Sequence, residues 1–202
     1  MGIFRGENAK MYTMIVAIAA IIMISFGVLV KNKDKEADNK ETVVDNTELS
    51  KVLNKELSSN YPATPREVGK FYCKILKCFF NEDLTEEQFL MLIDKERELF
   101  DDELLKQNEY GSFVQNRRDE VANFKKDKKS IINYVVDESE NVKTWYNDDK
   151  ECASLLVRIN ISGSELIIKD EQFLFRRDKD NNWRILGWKD VSVVDINEDN
   201  NK

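Results

Sequence analysis

The chain has 202 residues, 31 Lys and Arg against 38 Asp and Glu, a formal net charge of −7, three cysteines and no histidine. The acidic balance excludes nucleic-acid binding, which needs clustered Lys and Arg against phosphate. The missing histidine excludes Ser-His-Asp and Cys-His nucleophiles, imidazole metal ligands and a histidine pH switch, so any catalysis would have to run on Asp, Glu, Tyr, Lys or Cys.

In chain order, residues 1–10 are expected to form a short cytoplasmic tail, and residues 11–30 are an uncharged apolar run that includes Ile15, Ile18, Ile22 and Phe26. Its twenty residues at about 1.5 Å rise make a rod of about 30 Å, the thickness of a bilayer's hydrocarbon core, and a helix satisfies its own backbone groups there. The run predicts a transmembrane helix that stays on the mature chain, because no A-x-A pattern follows Ser25. Gly6 stands where myristoylation needs Ser or Thr, and no cysteine lies near the run to carry a lipid. Arg5 and Lys10 precede the run, whereas Lys31, Lys33, Lys35 and Lys40 follow it. A strict count places the C-terminal side in the cytoplasm, but long domains translocate largely regardless of flanking charge.

Residues 31–60 read as a polar stalk, since 31–46 are too charged to bury surface that would offset ordering entropy. Within the stalk, Thr47 caps a short amphipathic helix over 47–57, with Leu49, Val52, Leu53 and Leu57 at helical spacing, and this helix is expected to dock on its own domain, with a partner as the alternative. A domain is expected over 61–194, followed by a disordered tail at 195–202. Thr64-Pro65-Arg66-Glu67 is a capping box with proline at the first helical position. It opens a helix to about Phe80 whose one face holds Val68, Phe71, Tyr72, Ile75, Leu76 and Phe79. A second capping box, Thr85 to Gln88, leads a helix that buries Phe89, Leu92, Ile93, Phe100 and Leu104, and a third helix is expected from Asn116 to Lys126.

After Lys129 the apolar period changes from helical to alternating. Strands are expected at 131–136, 142–146, 152–161, after the Ser162-Gly163-Ser164 turn, and from Trp183 to about Val194. Leu166 and Ile168 have one parity and Phe173 and Phe175 the other, which predicts a bulge near Asp170. In the last strand Trp183 and Ile185 are expected on one side, and Leu186 and Trp188 on the other. Helices followed by an antiparallel meander predict an α+β domain with the helices on one face of the sheet.

Chemistry-bearing motifs are sparse. Asp178, Asp180 and Asn182 mimic the start of a calcium loop, but Trp183 and Lys189 occupy the positions of its glycine and glutamate, so a polar hairpin is expected. The acidic stretches at 101–103 and 148–151 lack ligand spacing and read as solvated faces, as does the basic stretch Lys125 to Lys129. Cys73 and Cys78, five apart on a helix, diverge by about 140° and read with Cys152 as small buried hydrophobes. The Asn160-Ile161-Ser162 sequon falls inside a strand. No catalytic set, metal site or cofactor is read from these residues.

Three N-terminal helices followed by long bent strands ending in W-R-I-L-G-W resemble the nuclear transport factor 2-like superfamily over residues 61–194. Y-P-A-T-P-R-E-V, K-I-L-K-C and L-F-D-D-E-L-L behind an N-terminal anchor resemble an uncharacterised group of membrane-anchored proteins of Clostridia-like Gram-positive bacteria. The resemblance implies a cone-shaped domain held outside the cytoplasm, against the simple charge count. It also implies a pocket between the sheet and the first helix, for which Tyr72, Tyr134, Trp145 and Trp188 are the candidate lining. An Asp with a Tyr donor would permit proton transfer there without histidine, though no inward Asp is identifiable. The leading expectation is a single-pass, non-catalytic binding or assembly module with a protein partner or a second copy. A small apolar ligand-binding or isomerase-like pocket, and a scaffold subunit of a secretion or conjugation complex, stay open as alternatives.

Overall fold

The computed structural model describes residues 47–191. The expected cytoplasmic tail, transmembrane helix, charged part of the stalk and terminal tail lie outside these residues. No helix among the described residues is long and apolar enough to cross a membrane.

The chain enters at α1 (Glu48–Leu53), where the Thr47 hydroxyl accepts the N–H of Ser50. The helix stops at Leu53, short of the expected 57, because Asn54 takes the cap. Val52 and Leu57 are both buried in the domain's core, so the segment expected at the end of the stalk belongs to the packed unit. Burial of apolar surface has won over the polar composition around it.

Helix α2 (Pro65–Asn81) carries the capping box its sequence announces, with Thr64 and Glu67 satisfying each other's backbone donors. Its stripe lies against the sheet, and Val68, Ile75 and Phe79 are fully buried, each contributing about 1.5–3 kcal/mol. At its end the Asn81 amide holds both the N–H and the C=O of Ile131 (2.8 and 2.9 Å). The second capping box, at Thr85 and Gln88, opens α3 (Glu86–Arg97). The single helix expected to continue through Leu104 is broken. Phe100 bridges to Ile185 at the sheet edge, and Asp101 then caps a separate α4 (Asp102–Gln107). The last helix, α5 (Tyr110–Lys126), starts six residues earlier than Asn116, with Phe113 on its buried side.

Five antiparallel strands follow: β1 (Ser130–Val136), β2 (Lys143–Asn147), β3 (Lys150–Ser162), β4 (Ile167–Arg177) and β5 (Trp183–Asp190). The order is β1-β3-β4-β5, with β2 lying beyond the end of β1 along the same side of β3. The expected bulge near Asp170 is absent, since β3 and β4 pair in unbroken register from Cys152–Arg176 to Ile161–Ile167. The parity change arises because Ile168 is an apolar residue on the solvent side. Register slips instead at Leu186 of β5, and a second slip on β1 lies at Ile132. The acidic pair Asp148-Asp149 is a tight hairpin turn, both residues at positive φ (48° and 64°), as a two-residue connection of twisted strands requires. The fold is thus α+β, with helices on one face of an antiparallel sheet.

Candidate functional site

Helical spacing sends two charged residues inward. Glu96 follows Leu92 by four and Ile93 by three on α3, and Arg117 follows Phe113 by four on α5. Both stand on apolar stripes, so packing these helices buries them: Glu96 is 0% exposed and Arg117 8%. Arg117 donates to Glu96 through one terminal nitrogen and to Glu120 through the other. Its guanidinium lies 5.4, 5.9 and 5.7 Å from the ring centroids of Phe79, Phe80 and Phe113. Glu96 Oε2 and Arg117 Nε are buried with no hydrogen-bond partner, so the network is only partly satisfied. Burial pushes the Glu96 carboxyl above its ordinary range, and Arg117 pulls it back only in part. Arg117 itself stays cationic: burial opposes its charge, but Glu96 and Glu120 outweigh that. The Tyr72 hydroxyl is pushed well up by burial, with Glu96 adding to it.

The four candidate lining residues part company. Tyr72 and Trp188 meet, with ring centroids 5.5 Å apart. Both pack on Phe173, at 5.4 and 5.5 Å, and Phe100 closes the cluster. Trp188 reaches this side through the slip at Leu186, which pairs Trp188 with Phe173 and Ile185 with Phe175. Trp188 therefore shares the helix-facing side with Ile185, opposite to the simple alternation expected from sequence. Tyr134, half-buried on β1, pairs with Ile159. Burial pushes its hydroxyl up to about 12, with Cys73 and Cys78 nearby. Trp145 pairs with Cys152, three residues and hence one face away from Leu155, on the other side of the sheet from Trp188.

Sequence reasoning missed Glu96 and Arg117, although one signal was present: a charge at a core position of an apolar helical stripe. It also took Asp101 for a solvated residue. Asp101 is in fact buried, accepting the Glu103 N–H at the start of α4 and two guanidinium donors of Arg176. The Asp178 turn is the expected polar hairpin. Its carboxylate accepts the N–H groups of Asp180 and Asn182 and pairs with Arg184 at 2.6 Å, so its oxygens are committed within the turn. Cys73, Cys78 and Cys152 are buried and form no disulfide among the described residues, and burial raises the Cys78 thiol to about 12, which makes it a poor nucleophile. Among the described residues no group of three or more His, Cys, Asp and Glu is placed to hold a metal ion.

Two surface features remain. A groove of about 430 Å³ runs between α1, the following turn and the first half of α2. On the outer sheet face, Val135 and Ile168 are exposed by 58% and 49%, flanking the bonded side chains of Asn133 and Asn160. Ile132 at the β1 slip and Leu166 before β4 are exposed as well.

No curated protein matches this chain. The family described as "Domain of unknown function (DUF6715)" matches residues 4–188. That match runs from the apolar N-terminal run through Trp188 of the aromatic cluster, and the protein belongs to this family.

Proposed function

We propose that the protein is a single-pass membrane-anchored, non-catalytic binding or assembly module. Residues 11–30 are its anchor, and a nuclear transport factor 2-like cone is held outside the cytoplasm. The observation that carries the binding role is the outer sheet face, where Val135 and Ile168 expose apolar side chains, with Ile132 at the β1 slip and Leu166 before β4 exposed as well. Such patches mark docking surfaces on otherwise polar proteins. The interior argues in the same direction: Glu96, paired with Arg117, and Tyr72, packed on Phe173 and Trp188, are both buried, so a substrate reaches them only if that packing opens. The anchor reading draws on the length and apolarity of 11–30 and on a family match that begins at residue 4.

The test is crosslinking in membranes from cells that express the full chain, comparing wild type with Val135→Glu/Ile168→Glu. A crosslinked partner or second copy that disappears in the variant is the expected result. An identical crosslinking pattern in both, or none above background, overturns the docking surface. Protease accessibility on intact protoplasts tests the outward topology, with degradation of the domain expected.

A further inference from the structure

Charge is divided unevenly along the domain. Residues 47–81 hold six Lys and Arg against three Glu, whereas residues 82–191 hold eighteen against twenty-six Asp and Glu. The basic part forms the groove between α1 and α2, which is lined by Lys51, Lys55, Lys70 and Lys74. Its two acidic side chains are already engaged. Glu48 pairs with Lys74 at 3.6 Å, and Glu67 holds the Ala63 and Thr64 N–H groups at 2.9 and 3.2 Å. Among the described residues Lys51, Lys55 and Lys70 have no carboxylate partner, and the Lys55 ammonium sits 5.5 Å over the Phe71 ring. Val52 and Phe71 form an apolar floor to the groove.

The groove lies where the chain enters the domain. Sixteen residues separate Val30 from Thr47, at most about 58 Å of chain. On the anchor reading proposed above, this face is tethered near the bilayer at high effective concentration. We infer that the lysine-lined groove between α1 and α2 seats on an anionic phospholipid leaflet, the ammonium groups of Lys51, Lys55 and Lys70 contacting headgroup phosphates. The acidic remainder of the domain is repelled by that leaflet and turns away, which fixes the domain's orientation and presents the outer sheet face to a partner. Basic segments beside a membrane span are attracted to anionic leaflets through such contacts, and the attraction is screened by salt.

The experiment places the full chain in nanodiscs of phosphatidylcholine alone or mixed with phosphatidylglycerol and maps lysine acetylation by mass spectrometry. Acetylation of Lys51, Lys55 and Lys70 is expected to slow about fivefold in the anionic discs, the scale of one lysine's attraction to such a surface. Lys128, at the far end of the helical layer, is expected to react equally in both. Molar salt and the Lys51→Gln/Lys70→Gln variant, which change no buried group, should each abolish the difference at Lys55. Equal labelling in the two lipids overturns the inference while leaving the anchor intact. Equal protection in neutral discs also overturns it, in favour of the acidic surface of a second copy. Failure of the chain to co-purify with any disc overturns the anchor reading, and this inference with it.

Discussion

The ion pairs Glu96–Arg117 and Arg158–Asp170 share chemistry and differ in everything that sets their worth. The first is enclosed between α3 and α5 under three aromatic rings. The second spans β3 and β4 on the outer face at 2.7 Å, with half of the Arg158 side chain in water. Water has been removed from the first pair, so each charge depends on its partner; in the second, solvent compensates whatever is lost. A charge inside an apolar layer thus locks the packing of two helices, whereas the same contact outside merely decorates a strand pair.

The largest expected effect comes from breaking the enclosed pair. Arg117→Leu leaves Glu96 buried beside no cation and should destabilise the domain by about 3–5 kcal/mol in urea denaturation. A loss under 1 kcal/mol would mean that Glu96 is neutral in the native state. The pH dependence sharpens this. The Glu96 carboxyl is raised on folding, so its contribution to stability is complete below the ordinary carboxylate range and is lost as pH rises through the raised value. Glu96→Gln cannot titrate, and its stability relative to wild type should therefore improve as pH rises from that range; a pH-independent gap contradicts the assignment. Asp178 is the opposite case: its folded carboxyl is lowered, burial being outweighed by Arg184 and the backbone donors of Asn182 and Asp180. Asp178→Asn should cost stability at neutral pH and progressively less as pH falls through the carboxylate range.

Smaller effects follow at partly buried and open positions. Asp101→Ala removes both a helix cap and the Arg176 partner and should cost about 2 kcal/mol in thermal unfolding. Gly69→Ala should stabilise by about 0.5–1 kcal/mol, because a methyl there meets Val136 and Leu155 at 3.6 and 3.7 Å, ordinary contact, while α2 gains helix propensity. If it destabilises, the interface between α2 and the sheet is tighter than these distances state. Arg158→Ala should change stability by about 1 kcal/mol or less. A larger loss would erase the contrast between the two pairs.

Much of the architecture is legible in the chain. The capping boxes at Thr64 and Thr85 are local, since their donors and acceptors lie three residues apart, and both form as read. The switch from helical to alternating periodicity near Lys129 marks the start of the sheet, again because side-chain direction follows backbone period. The candidate site was less legible. Of the four candidate lining residues, Tyr72 and Trp188 meet between the first helix and the sheet, whereas Trp145 lies on the opposite face, because parity along one strand does not say how β2 registers on β3. Glu96 and Arg117 escaped because composition treats a charge as solvated unless two stripes are known to face each other.

By itself the sequence determined the starts of the first three helices, the order of helices before strands, the apolar run at 11–30 and the absence of histidine chemistry, all properties of neighbouring residues or of counting. Only the tertiary structure decided that Val52 and Leu57 join the core, that one extra residue at Leu186 turns Trp188 toward Tyr72, and that Glu96 meets Arg117 away from water. Those outcomes depend on contacts between residues far apart in the chain, where register and burial are set by the packing of whole elements and no local pattern records them.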